Sequence, residues 1–212
     1  MSDVPVLWSF RRCPYAMRAR LAVASSGVAC ALREVVLRDK PEAFLAASPS
    51  ATVPCLQTGQ GSIDESYDIM LWALRQSDPE GWLAMPEKGH ALISSCDGPF
   101  KTALDRYKYS SRYEAADALS ERSKASAFIT QLETQLAGQP WLFGGAATLA
   151  DMAILPFIRQ FAHVDLEWFA AQPWPNVQDW LERFKASPRF AAIMRKYPQW
   201  QAGAAGQPFP ES

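Results

Sequence analysis

The early part of the chain alternates short apolar runs with segments whose apolar positions return every three or four residues. Residues 4–10 (VPVLWSF) are an apolar run stopped by Arg11 and Arg12, the pattern of a strand that ends in a polar turn. Pro14 then fits the first position of a helix, Met17, Leu21 and Ala24 recur on one face, and Gly27 closes it. Residues 32–37 (LREVVL) predict a second strand, and Pro41 opens a short helix to about residue 47. Residues 53–57 and 62–64 flank Thr58-Gly59-Gln60-Gly61 as the arms of a hairpin, and a helix is expected over 66–77. The predicted order is βαβαββα.

Residues 79–88, with Pro79, Gly81 and Pro86, read as a linker. Beyond it the pattern predicts helices only: 91–113, kinked or delayed by Gly98-Pro99, then 115–137, 148–161, 174–186 and 188–196. Thr148-Leu149-Ala150-Asp151 has the spacing of a capping box with Asp in place of Glu. Residues 203–212 are expected to pack poorly. The expected division is therefore an α/β domain over 1–78, a linker, and an all-helical domain over 89–212. The tryptophans at 168, 174, 180 and 200 sit at apolar helical positions and are expected in the core.

Composition narrows the function classes. Lys plus Arg total 21 and Asp plus Glu 22 among 212 residues, a formal charge of -1, so nothing favours general binding to nucleic acid or to an anionic membrane. No apolar run reaches the ~18 residues of a spanning helix, and the amino end lacks a secretory pattern, so a cytoplasmic protein is expected. Cys13, Cys30, Cys55 and Cys96 lie far apart without a CxxC pair, and His90 and His163 are the two histidines. That spacing argues against metal and against disulfides, and leaves little for imidazole-centred catalysis.

Cys13 carries the strongest chemical signal. It stands at a predicted helix start, where unpaired amides and the dipole favour a thiolate, and Arg11, Arg12 and Arg18 add positive potential. Position 16 is alanine, so the motif holds no second cysteine to resolve a mixed disulfide; an external thiol must do so. Cys55 follows Pro54 directly, but strand alternation assigns it to the interior, and Cys30 and Cys96 are read as structural.

The stretch SFRRCPYAMRARLAV resembles the active-site segment of cysteine-type glutathione transferases, the omega class and its bacterial relatives. LRDKPEAFLAASPSATVPCL, IDESYDIMLWAL and TLADMAILPF resemble three further segments of that family in the same order, so the likeness runs over about residues 4–200. It implies a thioredoxin-like domain followed by an all-helical domain, with glutathione as co-substrate and a two-fold homodimer. Carried over position by position, Cys13 is the nucleophile, and Val53-Pro54 is a cis-proline turn whose backbone meets the cysteinyl part of glutathione. Glu65 and Ser66 receive the γ-glutamyl end, Lys40 approaches the glycyl carboxylate, and Tyr15 and Leu37 complete the glutathione site. Phe10, Arg11, Tyr107 and Tyr109 are the expected electrophile pocket. The leading expectation is a thiol transferase or reductase, for which the resemblance implies dehydroascorbate, protein mixed disulfides and glutathionyl adducts of ketones or quinones as substrate classes. Two alternatives stand beside it: conjugation driven by a hydroxyl of Ser9 or Tyr15, and a non-catalytic partner-binding protein of the same fold.

Overall fold

The computed structural model describes residues 4–113 and 117–211. Residues 115 and 116, the expected start of one helix, and the chain ends lie outside the described residues. The chain divides into two compact units: residues through Gly81 together with those from Pro188 onward, and Trp82–Ser187.

The first unit is built on a five-stranded sheet of order β4-β3-β1-β2-β5. Its strands are β1 (Val6–Ser9), β2 (Cys30–Glu34), β3 (Cys55–Thr58), β4 (Gly61–Ile63) and β5 (Gln207–Phe209). β1 runs parallel to β2 with Val6 opposite Ala31, and antiparallel to β3 with Leu7 opposite Leu56. The parallel crossover is made by α1 (Pro14–Ser26), which Pro14 opens and Gly27, at φ 70°, closes in the left-handed region. α2 (Glu42–Ala47) and α3 (Ser66–Gln76) follow as expected, and α1 and α3 pack on one another. Successive β1 side chains bury on opposite faces: Leu7 and Trp8 are both fully enclosed. Trp8 anchors a cluster with Val35, Phe44, Ala47, Val53, Cys55 and Trp200, and Phe10 and Cys13 lie against it. The second strand lies two residues earlier than the apolar run 32–37 suggested, because Ala31 pairs with Val6 while Val35 is already turning away after its amide bonds the Ser9 carbonyl.

The carboxyl end corrects the expected division. Residues 188–211 join the first unit: α10 (Pro188–Ile193) packs on α1, and β5 pairs antiparallel with β2, placing Phe209 opposite Cys30. The expectation of one helical domain over 89–212 with a poorly packed tail therefore fails for this segment. The physical reason is the β2 edge, whose unpaired backbone groups the returning chain covers while Phe209 and Trp200 become buried. Pro208 and Pro210 disguise the strand in sequence, yet proline is tolerated on an edge.

The second unit is helical. α4 (Lys88–Ser95), a π-helical turn over Cys96–Phe100 and α5 (Lys101–Lys108) replace the single helix expected over 91–113. Pro99 lacks an amide donor, and the ladder widens around it. α6 (Ala118–Gln135) starts at Asp117, whose carboxylate accepts the Leu119 amide at 3.0 Å. α7 (Leu149–Ala162) carries the expected capping box. Its Asp151 is fully buried and accepts from the Thr148 amide, the Leu142 amide and Trp180 Nε1 at 2.8 to 3.0 Å. Burial still pushes the Asp151 carboxyl above its ordinary range, against the pull of these donors. α8 (Leu166–Ala170), absent from the sequence reading, and α9 (Pro175–Lys185) complete the unit around the rings of Phe100, Phe128 and Phe161. Among the described residues no helix is long and apolar enough to cross a membrane.

Candidate functional site

β1 delivers the chain to a tight turn at Phe10-Arg11-Arg12, closed by the Cys13 amide donating to the Phe10 carbonyl at 3.0 Å. Cys13 is then the N-cap of α1 with extended backbone angles, φ -74° and ψ 124°, and its carbonyl accepts the first helical bond from Met17. The half-buried thiol lies 3.6 Å from the Val53 carbonyl and donates to it. Cys30, Cys55 and Cys96 are buried, as expected. Burial pushes the Cys30 thiol up to about 11 and that of Cys55 to about 12, so neither offers a thiolate at neutral pH.

Val53 belongs to the loop between α2 and β3, and the Val53-Pro54 bond is cis. Ala51 precedes it in the left-handed region at φ 53°, a conformation that costs a residue with a Cβ. Two contacts hold this loop. Lys40 Nζ donates to the Ala51 carbonyl at 3.0 Å, and the carboxylate of Asp64 accepts the Ser48 hydroxyl at 2.7 Å and the Ser50 amide at 2.8 Å. Leu37 is exposed on the segment that leads to Lys40.

Glu65 caps α3 and Ser66 is its first residue. Ser66 is buried, and its Oγ accepts from Arg18 Nε at 2.9 Å. Because that lone pair is engaged, the hydroxyl proton of Ser66 is left to donate elsewhere. The Arg18 guanidinium also lies over the half-buried Tyr15 ring at 5.2 Å from its centroid. One end of the first unit thus brings together a thiol, a cis-proline backbone, a helix start backed by a buried guanidinium, and a lysine. Such an arrangement can hold an extended anionic peptide with its sulfur against the thiol.

The expected electrophile residues are a different matter. Phe10 packs on the Trp8 cluster, and Arg11 reaches the Met194 carbonyl with its guanidinium at 3.4 Å. In the second unit Tyr107 is buried under the Arg122 guanidinium, and Tyr109 ends α5 between Lys108 and Arg112. Ser9, one of the two alternative hydroxyls, is fully buried with its Oγ bonded to Arg20 Nε at 2.7 Å, so it is not presented to a ligand.

Sequence reasoning read Arg18 as positive potential at the thiol, whereas the structure sets its guanidinium against Ser66, and it did not assign Arg20, Glu34 or Asp64 to the site. Asp64 stands next to the Glu65-Ser66 turn, and that adjacency was a usable signal. Nothing local marks Glu34, whose carboxylate accepts the Arg11 amide at 2.6 Å from another strand.

Residues 7–81 match the family model of the glutathione S-transferase N-terminal domain, and residues 102–183 that of the C-terminal domain. The chain is 26% identical over 170 residues to glutathione S-transferase GstB of Escherichia coli, covering 71% of this chain and 77% of that protein. It is 22% identical over 202 residues to glutathione S-transferase omega-1 of Sus scrofa, covering 88% and 79%. Among solved structures, a glutathione transferase family member of Pseudomonas fluorescens with two glutathione bound superposes with a TM-score of 0.76 at 18% identity, covering 91% of this chain and 92% of that one. Glutathione transferase Omega 3C of Trametes versicolor gives 0.76 at 14% identity, covering 94% and 92%.

Proposed function

Because the chain belongs to the glutathione S-transferase family, we propose that it is a transferase of the thiol-transferring, reductase kind, with Cys13 as nucleophile. One observation carries the reading: a half-buried thiol at the N-cap of α1, 3.6 Å from the carbonyl of the cis-proline turn, while the competing Ser9 hydroxyl is sealed against Arg20. The Cys13 thiolate attacks a glutathionyl disulfide, forming the Cys13–glutathione bond and releasing the other sulfur as a thiolate that takes up a proton. A second glutathione, as thiolate, attacks the sulfur of the bound glutathionyl group; oxidised glutathione leaves and the Cys13 thiolate is restored. Electrons balance, since one glutathionyl mixed disulfide and one glutathione give one thiol and one oxidised glutathione.

Glutathione lies extended in this proposal. Its γ-glutamyl carboxylate meets the start of α3 at Ser66, with Arg18 behind, and Glu65 takes its ammonium. The Val53 backbone pairs with the cysteinyl residue beside Pro54, and Lys40 turns from the Ala51 carbonyl to the glycyl carboxylate. Tyr15 and Leu37 flank the site. Dehydroascorbate, protein mixed disulfides and glutathionyl adducts are the substrate classes, in a reducing, cytoplasmic setting that suits four cysteines not joined in disulfides. A two-fold homodimer is expected, and light scattering at the mass of one chain would remove it.

The deciding experiment treats the protein with oxidised glutathione and maps the adduct by mass spectrometry. A single glutathionyl group on Cys13 is expected, with thiol-exchange activity lost in Cys13→Ser. Retained or increased conjugation of electrophiles by Cys13→Ser together with intact thiol exchange would overturn the reading in favour of a hydroxyl.

A further inference from the structure

Behind the Cys13 turn lies a buried charge pair that the steps above do not use. Arg20 has a fully buried side chain, and Glu34 exposes 11% of its own; Arg20 Nη2 stands 3.3 Å from Glu34 Oε2. The other carboxylate oxygen accepts the Arg11 amide at 2.6 Å, two residues before Cys13. The rest of the guanidinium fork is also engaged: Nε donates to Ser9 Oγ at 2.7 Å and Nη1 to the Ile193 carbonyl at 2.8 Å. Three separate chain segments, the end of β1, β2 and the end of α10, thus meet on this pair.

Such a pair is costly to bury and is weak evidence of stability by itself. Its location suggests a use. Positions 13 and 20 are seven apart, two turns along one face of α1, and helical side chains lean toward the helix start. The Arg20 guanidinium therefore reaches back toward the turn that holds the thiol, as its bond to Ser9 shows.

We propose that Glu34 and Arg20 are positioning residues for Cys13: Glu34 pins the Phe10–Cys13 turn through the Arg11 amide, and Arg20 supplies positive potential at the sulfur that Glu34 partly offsets. Burial opposes the charged form of both, and their neighbours offset it in part. Burial works to raise the Glu34 carboxyl, opposed by Arg20 and by the Arg11 amide; burial works to lower Arg20, opposed by Glu34, Tyr197 and Cys13. Arg11 from the turn and Tyr197 from the carboxyl segment are the other titratable groups facing the pair. The returning carboxyl segment thereby acquires a role in the site, since its Ile193 and Met194 carbonyls receive Arg20 and Arg11.

The inference rests on Cys13 as the reacting thiol, and its test needs no substrate, so the two can fail separately. Iodoacetamide labelling of Cys13 is followed by mass spectrometry across pH in the full chain, and the rate at acidic pH is divided by the plateau rate at alkaline pH. That ratio cancels changes in access and reads only how readily the thiolate forms. A charge about two helical turns, or ~11 Å, away alters it by about tenfold at an effective dielectric constant of ~20. Glu34→Gln, which keeps an acceptor for the Arg11 amide, should raise the ratio by that factor, and Arg20→Gln should lower it. Opposite signs are what a purely structural role would not produce. Equal signs, or changes below about twofold in both variants, would overturn the proposal. If one glutamine variant does not fold, the other decides by its own sign: a rise for Glu34→Gln or a fall for Arg20→Gln of more than about twofold supports the charge effect, and a smaller change or the opposite sign refutes it.

Discussion

Replacing Asp64 by asparagine should loosen the loop that carries Val53 and Pro54. In the native chain one carboxylate oxygen takes the Ser48 hydroxyl at 2.7 Å and the other takes the Ser50 amide at 2.8 Å. Asparagine offers one carbonyl acceptor in place of two carboxylate oxygens and no charge; with that carbonyl on the Ser50 amide its NH2 group can only donate to Ser48 Oγ, so both charge-assisted bonds are lost. A hydrogen bond to a charged group contributes about 1.5–3 kcal/mol when sheltered, and partial exposure of the loop brings the expected loss to about 1–2 kcal/mol. Burial alone would raise the Asp64 carboxyl; the bonds from Ser48 and from the amide and hydroxyl of Ser50 outweigh it and hold the group below its ordinary 3.8. The sign follows from that depression. As pH falls the unfolded chain takes up the proton first, so the stabilisation is complete above 3.8 and is lost as pH drops from there through the lower folded value. Urea unfolding of wild type and Asp64→Asn, at neutral pH and in a series below 3.8, measures this directly. The deficit should be present at neutral pH and shrink on acidification. Equal stability at neutral pH, or a deficit unchanged by acid, would refute the clamp.

Three further outcomes are expected. Ala51→Gly relieves a left-handed Cβ at φ 53° and should stabilise the chain by up to about 1 kcal/mol after glycine's greater unfolded freedom is counted; a lowered thermal midpoint would contradict it. Trp200→Ala empties a site beside Trp8, whose ring centroid is 5.0 Å away, and should cost about 3–5 kcal/mol in denaturant unfolding, whereas a cost under about 1 kcal/mol would mean the carboxyl segment is not integral to the first unit. Ser66→Ala removes the acceptor for Arg18 and the donor proposed for the γ-glutamyl carboxylate, so calorimetry should record glutathione binding weaker by about 1.5–3 kcal/mol, and unchanged affinity would reject that role.

Local signals made much of this protein legible from its residues in order. Pro14 and Gly27 bracket α1, the Thr58–Gly61 turn sets the hairpin, and Thr148 with Asp151 opens α7, each through chemistry confined to a few neighbouring positions. The resemblance carried by the Cys13, Val53-Pro54 and Glu65-Ser66 segments extended that reading to the family and its glutathione transferase fold. Cys13 at a helix start was readable for the same reason, since the amides that favour a thiolate belong to the residues that follow it.

Tertiary structure alone decided which distant groups complete the site. The partner of the Arg11 amide is Glu34, and that of Ser66 is Arg18; neither pairing has a periodicity or a spacing to betray it, because hydrogen bonds across a sheet or between helices depend on register and packing. The same holds for the carboxyl end. Gln207–Phe209 has the composition of a loop and becomes a strand because the β2 edge offers unpaired backbone groups and Phe209 finds a buried place opposite Cys30. Trp200 was legible as a core residue, but not as a member of the cluster against which Cys13 lies: apolar character is written in the side chain, while the core it enters is chosen only when the chain returns.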